Sequence, residues 1–471
     1  MNLLFVTADQ LAYNRCGYAG DTHGATPNID AFAGESIDFY NCTASHPVCA
    51  AFRASLFTGK YTTSTGMVIN EIRMNPEHHK NPFARVLKNG GLEPEMIGKW
   101  HLWANKLGDF DNTDNSFVPK GEYRFGFDGY FAHCNMRHRY NNAFYHLDTP
   151  EKIDIDGYEP DVQTDMAIER FTLAKKEGKN IALFLNYGTP HAPWNKENLP
   201  SEGFEHFKSL EYSLPVNYSG EDDPHSDNWS NENRDPKELL RIMPIYYTMV
   251  ANLDNNFKRL TDALKELGMY EDTVIVFTSD HGEMFGAHGR RNKNIFYDES
   301  ARIPFLIRVP GCDAKKSDAP ISNVDFMPTV LDLLGIDIPS DVEGESVAGI
   351  IRGDDQSEPE FALLQNTGAC AVWGDGHEWR AIRDKRYTYA IFRSDLKEEL
   401  YDNISDPYQM NNLANDPEYA QLLSEMKEKM ARKLDEINDK FDFASYYKNN
   451  WVSEDRIILR TATAPDREIR K

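Results

Sequence analysis

Four runs of apolar, β-prone residues punctuate the chain: Leu3 to Thr7, Ile181 to Leu185, Val274 to Thr278 and Pro304 to Val309. Each ends in polar residues. Their apolarity is continuous rather than alternating, which predicts strands covered on both faces, as in a parallel sheet. Between them the period changes. Val250, Leu253, Phe257, Leu260 and Leu264 form a helical stripe within Ile245 to Leu267, and Gly268 closes it ahead of the Val274 run. Helix followed by strand, repeated, predicts an α/β fold: a large mixed, mostly parallel sheet flanked by helices. Residues 106–160 and 195–240 are rich in Asp, Asn, Gly, Pro and aromatic residues without a period. They read as long loops over one end of the sheet.

After Gly353 the pattern changes. Asp354 to Pro359 reads as a linker, and Arg380 to Arg393 as antiparallel strand material. Pro417 to Lys440 puts Leu422, Leu423, Met426, Met430 and Leu434 on one side of a charged helix. We therefore expect an α/β domain over residues 1–355 and a smaller α+β subdomain over 356–471, made of antiparallel strands, a helix and an extended tail. From Phe443 onward that tail offers either an arm for homo-oligomer formation or a cover for a pocket.

At 471 residues the chain exceeds what one core organises, which agrees with this division. The formal net charge of -24 disfavours nucleic acid and anionic membrane surfaces as partners. A small anionic ligand would need a local basic pocket. The six cysteines are scattered without a C-x-x-C pair, so neither a zinc ribbon nor a disulfide scaffold is expected. The first residues lack the basic region and long apolar run of a signal peptide, and no other run approaches the roughly 20 apolar residues of a membrane span. The expectation is a soluble, cytoplasmic protein.

Ligands of open α/β sheets gather at the carboxyl ends of strands. Asp9-Gln10, Asn186 to His191 and Asp280-His281 each follow one of the runs above, so three polar clusters converge. A carboxylate at a strand end is most often a cap or turn residue. Here Asp9, Gln10, Asp280 and His281 together offer the oxygen and nitrogen donors of a divalent-cation site. Cys49, in Cys49-Ala50-Ala51-Phe52-Arg53, reads on its own as a buried thiol, with Arg53 near enough in sequence to lower its pKa.

Cys49, Ala51 and Arg53, followed by Leu56, Thr58 and Gly59, resemble the C-x-[PA]-x-R and Leu-x-Thr-Gly signature of the formylglycine-dependent sulfatases of the alkaline phosphatase superfamily. Thr26 to Asp30, Gly98-Lys99-Trp100-His101-Leu102, Ser279 to Glu283 and Glu399 to Asp402 resemble further motifs of that family in the same order. The resemblance implies a hydrolase in which Cys49 is oxidised to formylglycine by a maturation enzyme. It implies one divalent cation held by Asp9, Gln10, Asp280, His281 and the modified Cys49, with Ca²⁺ favoured and Mn²⁺ or Mg²⁺ as alternatives. Lys99, Lys293 and Arg53 would stabilise charge on the sulfate oxygens, His191 would protonate the leaving group and His101 would act as base. Ala51, Phe52 and Gln10 depart from the commoner family pattern.

The substrate implied is a small sulfate monoester of a sugar, an aryl or an alkyl alcohol. Trp103, Trp194, Tyr187 and the loop from His133 to Arg139 are candidates to stack on that alcohol. Two other readings stay open. A phosphonate monoester or phosphodiester hydrolase of the same superfamily would share the Asp9-Gln10 pair, whereas Lys99 and His101 follow the sulfatase pattern. A non-catalytic sulfoglycan-binding protein would not need Cys49, Arg53, Lys99, His101, His191 and Lys293 together.

Overall fold

The computed structural model describes residues 1–227, 229, 235–353 and 358–463. Eight strands form the main sheet: β1 (Asn2–Asp9), β2 (Ile37–Phe39), β3 (Glu93–Lys99), β4 (Phe131–Asn135), β5 (Ile181–Pro190), β6 (Thr273–Ser279), β7 (Phe305–Arg308) and β8 (Lys315–Ser317). Their order is β8-β2-β7-β6-β1-β5-β3-β4. The five strands from β6 to β4 are parallel, whereas β7 runs antiparallel to both of its neighbours. The sheet is therefore mixed and mostly parallel, as the apolar runs predict.

Continuous apolarity has a direct cause. Leu3 and Phe5 of β1 enter a core on one face, with α2 (Cys49–Thr58) and α5 (Phe326–Leu333). Leu4 and Val6 enter a second core on the other face, with α1 (Pro27–Ala33), α3 (Glu159–Glu177) and α4 (Pro236–Glu266). Burying a Leu or Phe side chain in this way is worth about 1.5–3 kcal/mol. The stripe from Val250 to Leu264 is the buried face of α4. That helix starts ahead of the stripe, at Pro236, because Asp235 caps it by accepting from the N–H groups of Lys237 and Glu238.

One expectation changes. Residues 106–160 are not all loop: β4 pairs with β3 at the sheet edge. Its Phe-Ala-His-Cys-Asn sequence is too short and polar to register as a strand. Of the linker from Asp354 to Pro359, residues 354–357 lie outside the described residues, as do tail residues 464–471.

A separate antiparallel sheet follows, in the order β9 (Ala362–Asn366), β10 (Trp379–Arg383), β11 (Tyr387–Phe392) and β12 (Glu398–Asp402). One face, with Leu363, Ile382, Tyr389 and Leu400, is covered by Met426 and Met430 of α6 (Ala420–Glu436). The other face, with Leu364, Ala381, Ala390 and Tyr401, packs on Met284, Ile295, Phe296 and Tyr297 of the first domain. The second sheet thus backs the loop that carries Lys293. Beyond α6 the chain returns to the first domain, where Trp451 and Ile458 join the α2 core.

Candidate active site

Strand register assembles the site. Ala8 pairs with Ser279, and Asp9 with Pro190, so Asp9, Asp280 and His191 leave three adjacent strands at one level. On the next strand Gly98 lies opposite Asn186 and Lys99 follows it. Gly98 has φ of +104°, and a Cβ there would lie 2.0 Å from the carbonyl oxygen of Asn186. Only glycine lets β3 approach β5 this closely. Cys49 is the first residue of α2, where N–H groups without intrahelical partners and the helix dipole favour negative charge.

The Sγ of Cys49 lies 3.1 Å from Lys293 Nζ, 3.2 Å from His281 Nε2 and 3.7 Å from Asp9 Oδ1. Burial by itself would raise this thiol. Lys293, Lys99 and His281, with a hydrogen bond to His101, instead hold it well below the ordinary value. Burial likewise opposes ionisation of Asp9, but Lys99, His191 and Lys293 bring its carboxyl down to about 2. Burial and the negative charge of Asp9 push Asp280 up to about 6.

Arg53 and Lys99 are buried beneath the pocket. Arg53 Nη2 lies 3.3 Å from a carboxylate oxygen of Asp9 and the same distance from one of Asp280, while Nη1 donates to the backbone oxygen of Lys99 at 2.9 Å. Lys99 Nζ binds Asp9 Oδ2. Cys49, His101, His191 and Lys293 reach the pocket surface. His191 donates through Nδ1 to the Ala192 carbonyl at 2.7 Å, and its Nε2 lies 3.0 Å from Lys293 Nζ. Burial and Lys293 lower its pKa to about 4. Burial and Lys99 do the same to His101, also to about 4. Both rings are neutral at pH 7.

Asp9, Cys49, Asp280 and His281 place potential ligand atoms all within 4.8 Å of one another. Gln10 stands beside them at φ of +69°, and its Nε2 donates to Glu283 Oε2. Because a carboxylate accepts and never donates, that bond orients the amide and leaves Oε1 buried without a partner. Two carboxylates, an imidazole, an amide oxygen and one further donor at residue 49 suit a divalent cation of intermediate hardness.

The pocket above Cys49 has a volume of about 600 Å³. Much of its lining comes from three segments that the sequence did not single out: Asn70-Glu71, Asp227 with Trp229, and Ala369 to Gly374 with His377. His138 adds a ring stacked on His191, with centroids 4.1 Å apart. The expected aromatic platform is corrected. Trp103 meets Tyr123 edge-on and lies under Arg73, Trp194 stacks against Phe285, and Tyr187 is bonded to Thr164, so these three support the core. Phe110, Trp229 and Trp373 line the pocket instead. Phe110 lies in an aperiodic loop and Trp373 in the connection between β9 and β10, where no local pattern marks them.

Comparison with known proteins agrees with this geometry. A family model described as Sulfatase matches residues 1–336, and one described as N-sulphoglucosamine sulphohydrolase, C-terminal, matches residues 286–436. The chain is 35% identical over 465 residues to the ulvan-active sulfatase of Formosa agariphila, covering 96% of this chain and 84% of the relative. It is 26% identical over 531 residues to the N-acetylglucosamine-6-O-sulfatase of Bacteroides thetaiotaomicron, covering 97% and 88%. The solved complex of BT4656 with its substrate D-glucosamine-2-N,6-O-disulfate shares the fold. Its TM-score is 0.79 at 24% identity, over 95% of this chain and 98% of that one.

Proposed function

The chain belongs to the sulfatase family and is a sulfuric ester hydrolase, and on that premise we propose that it cleaves a carbohydrate sulfate monoester with a nucleophile made from Cys49. One observation carries this reading. Cys49 Sγ stands at the base of the pocket, between the Asp9–His281 group on one side and Lys293 with the two neutral imidazoles on the other. The sugar is favoured by the size of the pocket and by the relative named for an N-acetylglucosamine sulfate.

In this reading a formylglycine-generating maturation enzyme oxidises Cys49, and the hydrated aldehyde supplies an oxygen nucleophile together with a second hydroxyl through which sulfate can leave. Asp9, Gln10, Asp280, His281 and residue 49 would hold one divalent cation, with Ca²⁺ implied by the family resemblance and Mn²⁺ or Mg²⁺ as alternatives, Mn²⁺ being the better match to the imidazole of His281. Its contribution is to favour the ionised nucleophile and to draw charge from the sulfate. Lys293 points at the reacting centre, and Lys99 and Arg53 add positive potential from beneath. His191 relays the proton for the leaving oxygen: its N–H is on Nδ1, bonded to Ala192, so Nε2 takes a proton from Lys293 Nζ and passes it on, and water then reprotonates Lys293. That proton transfer is worth roughly 10²–10⁴-fold in rate. His101, neutral and bonded to residue 49, takes the proton whose removal expels sulfate.

The test pairs a mass measurement of the Cys49 peptide with turnover of sulfated sugars, an aryl sulfate, and a phosphonate monoester with the same leaving group. A converted Cys49 and higher kcat/KM on sulfate than on phosphonate are expected. Full turnover by protein containing only unmodified cysteine would overturn the nucleophile.

A further inference from the structure

We propose that the segment leaving β4 is a brace for His191, and that His138 within it is a positioning residue that fixes the plane of the His191 ring for proton transfer to the leaving oxygen. This rests on the proton relay assigned to His191 in the proposed function and adds how the fold holds that ring.

His191 is weakly restrained by its own bonds. Its Nδ1 donates to the carbonyl oxygen of the next residue, Ala192, at 2.7 Å, and its Nε2 faces the end of the Lys293 side chain at 3.0 Å. The torsion that turns an imidazole about its Cβ–Cγ bond is broad. The ring plane is therefore set by what lies against its face, and that neighbour is His138. The two rings stack with centroids 4.1 Å apart and planes inclined by 12°. Phe110 meets the His138 ring edge-on, at 6.1 Å and 79°, and all three side chains line the pocket.

The same segment holds the backbone of His191. Tyr140 Oη lies 2.5 Å from the carbonyl oxygen of Gly188 and 2.9 Å from that of His191. A Cβ at residue 188 would lie 2.8 Å from Tyr140 Cε1, so a larger residue there would displace the tyrosine. On the other side of His138, Arg137 is fixed by Glu159 and by the carbonyl oxygen of Phe144. His138 thus stands between two anchored residues, just beyond the strand that pairing with β3 sets in place.

What His138 offers His191 is its ring face. Its Nδ1 is buried without a hydrogen-bond partner, so a bond from that atom does not account for its place. Burial, with Lys99 and His191 close by, holds its pKa well below the ordinary histidine value, and the ring is neutral. A second cation against this face would oppose the proton that His191 takes up.

The experiment measures kcat and KM for the parent, His138→Ala, His138→Phe, His191→Ala and the double variant His138→Ala with His191→Ala. Two esters are compared: a methyl glycoside monosulfate, whose leaving alkoxide needs a proton, and para-nitrophenyl sulfate, whose phenolate leaves without one. His138→Ala should lower kcat on the sugar ester by about 10–100-fold, the scale on which a misplaced catalytic group costs rate. KM, and the rate on the aryl ester, should stay near those of the parent. His138→Phe keeps the space filled and a flat ring against His191, and should restore most of the sugar-ester rate. Once His191 is Ala, His138→Ala should cost nothing further, because no ring is left to position. A loss shared equally by the two esters, a raised KM with kcat unchanged, no recovery in His138→Phe, or full additivity in the double variant would each overturn the brace. His191→Ala lowering both esters equally would instead remove the relay on which the brace acts.

Discussion

Glu283 binds Gln10 through one carboxylate oxygen and, through the other, the backbone N–H of Asn292 at 2.9 Å, the residue before Lys293. One buried acid therefore orients a proposed cation ligand and anchors the segment carrying the principal cationic side chain of the pocket. Glu283→Gln, which cannot accept at both positions, should weaken cation affinity by about 10–100-fold, the usual effect of losing a partner behind a metal ligand. Calorimetric titration of the chelator-treated protein reads this without recourse to turnover. An unchanged affinity would remove Gln10 from the ligand set.

Cys49→Ala keeps a small side chain in the first turn of α2 and has no heteroatom on Cβ from which an aldehyde could be made. It should fold with a melting temperature close to the parent and lose turnover by at least about 10³-fold, the scale seen when a nucleophile is removed from a set that acts as a unit. Comparable rates in the two proteins would refute the proposed role of Cys49.

Arg53 balances two carboxylates at once, and a bound cation would share that task. Arg53→Met should destabilise the chelator-treated protein by about 3–5 kcal/mol, the cost of stranding buried charge. The loss should be smaller with cation present. Parallel denaturant melts with and without Ca²⁺ measure the difference. Equal losses would mean that the cation does not bind between Asp9 and Asp280.

His225 ties the segment carrying Asp227 to the second sheet: its Nε2 lies 3.0 Å from Asp395 and its ring stacks on Phe392 with centroids 3.7 Å apart. Burial lowers its pKa, but Asp223 and Asp395 outweigh burial and the folded value is raised. Arg290 and Lys397 lie on the far side of those acids. A raised folded pKa gives stability that is fully present below the unfolded value of about 6.5 and is lost as pH rises through the folded value. The parent should therefore lose melting temperature over that interval relative to His225→Gln. Parallel pH dependence in the two proteins would show that this ion pair contributes nothing.

Much of the first domain was legible because its physics is local. The runs at Leu3, Ile181 and Val274 are apolar since both faces of the sheet are covered, and strand-end chemistry follows from parallel order. Asp9, Asp280 and His191 meet as their spacing implies. Much of the pocket lining was not legible. Glu71, Asp227, Trp229 and Trp373 come together only because the second sheet sits against the Lys293 loop, and nothing within a few residues of any of them encodes that contact. The reverse error has the same root: Trp103, Trp194 and Tyr187 are aromatic residues near polar motifs, and tertiary contacts turn them into the core.

The return of the chain's last segment to the first domain has a consequence in time. Cys49 is 1% exposed, Cys370 from the connection between β9 and β10 packs beside its neighbours Val48 and Ala51, and Arg456 bonds the Glu71 backbone. The pocket is therefore closed by residues that leave the ribosome more than 300 positions after Cys49. The maturation enzyme proposed above would therefore engage the segment around Cys49 in the interval before these residues fold onto it. A slower ribosome between these points would lengthen that interval, and a faster-folding second sheet would shorten it.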